Sequence, residues 1–102
     1  MINSHVRADI TTFYGDFPAG FDFTISDDGK IEGVYSFIGY EGSFYGSMTG
    51  EETFSVGGVV DSYVGSIEFS ISGSYDGKII TGEGITANKG HFTVRGVPVG
   101  EL

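Results

Sequence analysis

The chain has 102 residues, nine Phe and six Tyr, no Cys, and a formal net charge of −9. This length predicts a single domain, residues 1–102, with a thin core, and the aromatic content predicts that the domain folds. The composition excludes nucleic-acid binding, which requires clustered Lys and Arg, and it excludes disulfides and thiolate metal sites.

The N-terminal residues contain no apolar run of the signal-peptide type, and no later stretch could span a bilayer as a helix. We therefore expect a cytoplasmic protein with no membrane partner. A signal peptide removed before position 1 would leave the same sequence, so a secreted origin stays open.

Apolar and polar residues alternate with a period of two along the chain, and no window shows helical spacing. The alternation predicts eight strands, near residues 5–14, 20–27, 30–39, 42–49, 52–60, 62–75, 78–87 and 90–96. Strands joined by such short connections predict an antiparallel meander. We expect the meander to close into a barrel, because closure removes exposed edges; a two-sheet β-sandwich is the alternative.

Residues 21–48 and 69–96 align without a gap and match at eight positions. Both segments contain the same turn, Ser-Asp-Asp-Gly-Lys at 26–30 and Ser-Tyr-Asp-Gly-Lys at 74–78. The alignment predicts a domain that consists of two related β-modules.

Each repeated turn predicts a hairpin with a three-residue loop, in which Gly29 or Gly77 has a positive φ. In the first hairpin, this loop pairs Ser26 with Lys30, Ile25 with Ile31, Phe23 with Gly33 and Phe21 with Tyr35. The same loop in the second hairpin would pair Ile67 with Ile85, Phe69 with Glu83 and Ile71 with Thr81.

The stretch from Phe21 to Tyr35 contains a strand, an Asp-Gly turn and an Ile-x-Gly-x-Tyr strand. It resembles an early hairpin of avidin-like barrels, and the resemblance implies a barrel fold. The biotin sites of that family are walled by tryptophan. This chain has no Trp, so the resemblance implies no ligand.

Glu83 is the main catalytic candidate, because the predicted register turns its carboxylate toward the apolar interior near Phe69. A buried carboxylate needs a partner, a proton or a solvated pocket, and Arg95 or Tyr35 would serve as the partner. Tyr35 and His91 complete a candidate set for a small barrel enzyme of isomerase, cyclase or hydrolase type. The alternative is that a twist or bulge at the flanking glycines turns Glu83 outward.

Neither a metal nor a cofactor is expected. His5 and His91 lie far apart in the sequence and have no obvious third ligand. The acidic residues Asp16, Asp22, Asp27 and Asp28 do not have the spacing of a calcium loop. The glycine-rich segments do not precede a helix, as phosphate-binding loops do.

The leading functional interpretation is a non-enzymatic binding or regulatory protein that engages a protein partner through its acidic outer surface, with a basic partner surface favoured. Tyr40, Tyr45 and Arg95 are its candidate binding residues, and Tyr14 is a further possible anchor. A barrel that binds a small ligand and the small barrel enzyme are the alternatives. The number of aromatic rings also predicts a homodimer, formed through sheet faces or an unsealed edge.

Overall fold

The computed structural model of the protein describes residues 2–62, 65–87 and 90–99. They form eight strands: β1 (Ile2–Thr12), β2 (Gly15–Ile25), β3 (Lys30–Phe37), β4 (Tyr40–Met48), β5 (Thr53–Ser62), β6 (Gly65–Tyr75), β7 (Ile80–Thr86) and β8 (His91–Pro98). None of the described residues forms a helix long and apolar enough to cross a membrane.

The eight strands form one closed antiparallel barrel in chain order. Each strand pairs with the next one, and β1 pairs with β8 in a register that places Asp9 opposite Arg95. The prediction of an all-β barrel is therefore confirmed, and the two-sheet alternative is wrong. Every described strand pairs with a neighbour on each side, so the barrel has no unpaired edge strand among the described residues.

Alternate residues of each strand face the interior, as the period-two pattern predicted. The buried apolar side chains are those of Val6, Ala8, Ile10, Ala19, Ile25, Ile31, Tyr35, Phe44, Val56, Ile71, Ile80 and Val94. All the described Asp, Glu and His residues are exposed. The interior is therefore apolar, and the charge lies on the outer wall and the turns.

The first repeated turn has the predicted geometry. The Ser26 N–H donates to the Lys30 carbonyl at 2.9 Å, and the Gly29 N–H donates to the Ser26 carbonyl at 2.9 Å. Gly29 has a φ of +84°. Ile25 lies opposite Ile31, Phe23 opposite Gly33 and Phe21 opposite Tyr35, so the predicted register is confirmed.

The predicted register of the second hairpin is wrong by three residues. Tyr75 lies opposite Ile80, which leaves a four-residue turn at 76–79, although Gly77 has the predicted positive φ of +90°. The carboxylate of Asp76 accepts hydrogen bonds from the N–H groups of Lys78 and Ile79 at 2.8 and 2.9 Å, and these bonds hold the longer turn. A shift by an odd number of residues exchanges the two faces of β7.

The largest boundary error concerns the connection between the first two strands. It was predicted at residues 15–19, and the structure has it at Phe13 and Tyr14. Gly15, with a φ of +124°, begins β2, and Pro18 lies within that strand. Pro18 is compatible with the barrel because the β2–β3 pairing ends at Ala19 and Phe37. The predicted strand 62–75 includes residues 63 and 64, which lie outside the described residues.

Candidate binding site at the acidic end of the barrel

The barrel interior contains an apolar cavity of about 50 Å³. Its lining comes from all eight strands and consists of Val6, Phe21, Phe23, Ile25, Ile31, Phe44, Met48, Phe54, Val56, Phe69, Ile71, Tyr75, Ile80 and Val94. Apart from the Tyr75 hydroxyl, these side chains offer no hydrogen-bonding group. The cavity is suited to an apolar occupant.

The cavity lies toward one end of the barrel. Six lining residues are the inward-facing positions next to the turns 26–29, 49–52 and 76–79: Ile25, Ile31, Met48, Phe54, Tyr75 and Ile80. We call this end the acidic end, because the three turns contain Asp27, Asp28, Glu51, Glu52 and Asp76.

The mouth of the cavity has aromatic and flexible side chains. The rings of Phe23 and Tyr75 meet edge to face with centroids 5.9 Å apart. The Tyr75 hydroxyl lies 3.4 Å from the Ser4 hydroxyl. Met48 and Phe54 point inward and are half-buried. Met48 adapts easily to a changed neighbour, since its side chain is unbranched.

Aromatic rings pack against each other toward the opposite end. Phe17 and Phe37 meet edge to face at 6.1 Å, and Tyr35 meets Phe69 in the same way at 5.6 Å. Tyr35 is 6% exposed. Its pKa is raised above the ordinary tyrosine value, mainly because burial disfavours the phenolate and also because the Asp61 carboxylate repels it. The phenol therefore stays neutral around physiological pH.

Local hydrogen bonds keep two carboxylates of the acidic end charged. The Ser26 hydroxyl donates to Asp28 and lowers the pKa of that carboxyl. The N–H groups of Ile79 and Lys78 lower the pKa of Asp76. Among the described residues, the three turns carry five carboxylates, while Lys78 lies on the third turn and Lys30 directly follows the first.

The catalytic candidates do not form one site. Glu83 is exposed on the outer wall, opposite Ser72 and Thr93, and does not point toward Phe69. The register shift explains this orientation. The enzyme interpretation requires a carboxylate inside the barrel. The described residues place none there.

His91 and Arg95 also face outward, on β8. They lie diagonally across from Glu83, since Ile85 pairs with His91 and Thr81 pairs with Arg95. Tyr35 is inside the barrel on β3, away from this group. The catalytic roles of Glu83, Tyr35 and His91 therefore stay predictions without a common pocket.

The tyrosine binding candidates are spread over the surface. Tyr45 is 72% exposed on the outer wall, and Tyr40 is half-buried at the start of β4. Tyr14 is 87% exposed at the tip of the β1–β2 hairpin, next to Phe13, which is 95% exposed. The two rings meet edge to face at 5.5 Å. This tip is the most exposed aromatic feature of the described surface.

Within the described residues, the structure does not gather the metal-ligand candidates into one group. His5 bonds through Nδ1 to Asp22 across β1 and β2, while Asp16 accepts a hydrogen bond from Thr11 near the other end of β2. His91 lies on β8. Within residues 2–62, 65–87 and 90–99, no three His, Asp or Glu side chains are grouped to hold a metal ion.

The sequence analysis missed both the cavity mouth and Phe13. Met48, Phe54 and Ile80 are ordinary alternating strand residues in the sequence, and only barrel closure brings them together. Phe13 was predicted to lie within a strand. The clue was Gly15, which permits a tight turn immediately before it and would have placed two adjacent aromatic residues at a hairpin tip.

No protein-family model matches the chain, and no curated protein matches it. Among solved structures, the fold is similar to that of a redesigned β-barrel, mFAP1, bound to DFHBI, with a TM-score of 0.75 and 15% sequence identity. The similarity covers 92% of each chain. At this identity the likeness shows the fold alone.

Proposed function

We propose that the protein binds a small apolar molecule in the acidic end of its barrel. The observation that supports this function best is the apolar cavity of about 50 Å³, with half-buried Met48 and Phe54 at its mouth. A closed barrel confines such a molecule on all sides except the mouth, and burial of its apolar surface supplies the binding free energy.

The cavity volume limits the size of the ligand. An engineered apolar cavity of about 150 Å³ accommodates benzene, so a single ring needs additional space here. Met48 and Phe54 are only half-buried, so rotation of these two side chains would enlarge the cavity. The similar barrel mFAP1 is described as bound to DFHBI, a precedent for a small-molecule complex in this fold.

Toluene is a suitable neutral probe. In methyl-resolved NMR spectra, we expect saturable shifts at methyl groups that line the cavity, among them those of Ile25, Ile31, Met48 and Ile80, and no shift at the exposed Ile85. The variant Met48→Trp, which places a bulky indole ring in the mouth, should weaken toluene binding by about tenfold or more.

Two further variants serve as controls. Val34→Trp adds the same ring on the outer wall, where Val34 is exposed, and should leave the affinity unchanged. Ile80→Val enlarges the cavity by one methyl group and should keep or raise the affinity. If the folded wild-type protein gives no saturable methyl shift up to the solubility limit of toluene, the proposed function is wrong.

A second candidate is the binding of a protein partner through the outer surface, for which the Phe13–Tyr14 tip is the specific support. Two adjacent aromatic rings in solvent are typical of interface anchors. The net charge of −9 favours a partner with a basic surface. A homodimer through the same tip would also cover the two rings.

Two measurements test this second candidate. Titration with egg-white lysozyme as a basic probe should give an affinity that falls with salt, and the double variant Phe13→Ser, Tyr14→Ser should weaken it. Sedimentation of the wild type and of this double variant, each alone at micromolar concentration, tests the homodimer. A monomeric wild type would contradict the homodimer. Equal affinities of the wild type and the double variant for lysozyme would contradict binding of a basic partner through the tip.

A further inference from the structure

The geometry points to a ligand that carries a positive charge: we propose that the acidic end selects small aromatic or aliphatic ammonium compounds, whose apolar part enters the cavity. This inference rests on the proposed binding function and names its ligand class. The acidic end combines an apolar interior with carboxylates on the surrounding turns and with aromatic rings at the mouth.

The first support is the charge on the three turns around the mouth. Five acidic side chains lie on these turns, and the described ones are all exposed. Asp28 and Asp76 are held in their charged form by the hydrogen bonds of their own turns. Lys30 and Lys78 offset only part of this charge, so the field at the mouth attracts cations and repels anions.

The second support comes from the aromatic rings. Phe23 and Tyr75 line the cavity, and Tyr75 is the last residue of β6, next to the 76–79 turn. A cation within about 6 Å of a ring face is attracted by the ring quadrupole. An ammonium group here would remain in contact with water while its hydrocarbon part is buried, as in a lysine side chain that keeps its charged end at the surface.

The interior adds a constraint on where the charge lies. No described carboxylate faces the cavity, so an ammonium group placed deep inside would lose its water without gaining a counterion. The ligand must therefore have its charge at one end and its apolar part at the other. Benzylammonium has this arrangement, and benzyl alcohol and benzoate provide neutral and anionic compounds of similar size.

The test compares these three compounds on the full chain by methyl-resolved NMR at low ionic strength. We expect benzylammonium to bind roughly three- to tenfold more tightly than benzyl alcohol, and benzoate to bind most weakly. Added salt of about 0.5 M should remove most of the preference while leaving the affinity for benzyl alcohol unchanged.

A charge-neutralising variant locates the effect. The double variant Glu51→Gln, Glu52→Gln removes two exposed charges from the 49–52 turn and should lower the preference for benzylammonium about two- to fivefold. The control, Glu68→Gln with Glu83→Gln, removes the same number of charges from the outer wall of the barrel and should preserve it. Both doubles should bind benzyl alcohol as the wild type does.

The outcomes separate the two proposals. If all three compounds bind equally well, or if benzoate binds best, the selection of cations is wrong and the apolar site stands. If toluene and all three compounds fail to bind, both proposals are wrong. An equal loss of preference in both double variants would assign the effect to net charge and overturn the role of the acidic end.

Discussion

The hydroxyl of Tyr35 on β3 donates a 2.7 Å hydrogen bond to the main-chain carbonyl of Val59 on β5. The strand between them is β4, so the phenol crosses a whole strand on the inside of the barrel. Its path passes over Gly42, where an added Cβ would lie 2.6 Å from the phenolic oxygen. The absence of a side chain at Gly42 therefore permits a bond that ties two non-neighbouring strands.

Tyr35→Phe should destabilise the protein by about 1 kcal/mol, because it removes this bond and leaves the Val59 carbonyl without its donor. Denaturant unfolding measures the loss. Tyr45→Phe is the matched control, since the same hydroxyl is removed from a side chain that is 72% exposed. Equal midpoints for Tyr35→Phe and the wild type would show that the bond contributes nothing.

The raised pKa of Tyr35 predicts a loss of stability in alkali. Above about pH 10 the unfolded state ionises this phenol while the folded state still holds the proton, so unfolding is favoured as pH rises. The stability difference between wild type and Tyr35→Phe should therefore shrink between about pH 8 and about pH 11. Urea midpoints of both proteins at the two pH values test this, and a constant difference would contradict it.

Gly84→Ala tests the register of β7, because a Cβ at this position would collide with the ring of Phe92. We expect a cost on the order of 1–3 kcal/mol, with partial recovery when Phe92→Leu is added. In the register first predicted from the repeat, Gly84 would face outward and the substitution would be tolerated. Glu83→Gln, on the exposed face, should stay within about 0.5 kcal/mol of wild type.

The strand count, the closure and the first hairpin could be predicted from the sequence. The alternation around Ile25 and Ile31 permits one register only, because a one-residue slip would place Glu32 inside. The second hairpin was not predictable from its likeness to the first. The carboxylate of Asp76 binds two main-chain N–H groups and lengthens the turn, although its sequence is almost the same.

The candidate site was less predictable than the fold. Whether apolar side chains fill a barrel depends on how their rings pack, and composition does not determine this packing. Phe17 and Phe37 meet at one end, whereas Met48 and Phe54 line the cavity toward the other. The sequence does not show that the carboxylates of the acidic end lie close together, since only the pairing of the strands places their three turns at one end.

The positive φ of Gly77 predicts a cost for any residue with a Cβ. Gly77→Ala should destabilise the protein by about 1–2 kcal/mol, although nothing lies within 4 Å of the added carbon, because the strain is in the backbone. Gly77→Asn should cost less, since Asn tolerates this conformation. A lower melting temperature for Gly77→Asn than for Gly77→Ala would show that residue 77 does not have a positive φ in the folded protein.

The lowered pKa of Asp76 predicts that its turn weakens in acid. Because the folded-state pKa lies below the unfolded-state value, the stabilising contribution is present above the ordinary Asp value and is lost as pH falls through the folded-state pKa. Asp76→Ala should therefore be less stable than wild type at about pH 7, and the difference should diminish toward about pH 2. Urea midpoints at matched ionic strength measure it.

Asp76→Asn provides the control for this prediction, since its amide oxygen keeps an acceptor for the N–H groups of Lys78 and Ile79 but does not ionise. Its stability should lie between those of wild type and Asp76→Ala at about pH 7, because a neutral amide oxygen accepts these bonds more weakly than a carboxylate does. A difference between Asp76→Ala and wild type that is equal at both pH values would mean that the ionised carboxylate does not hold the turn. The four-residue loop and the outward orientation of Glu83 would then need another cause.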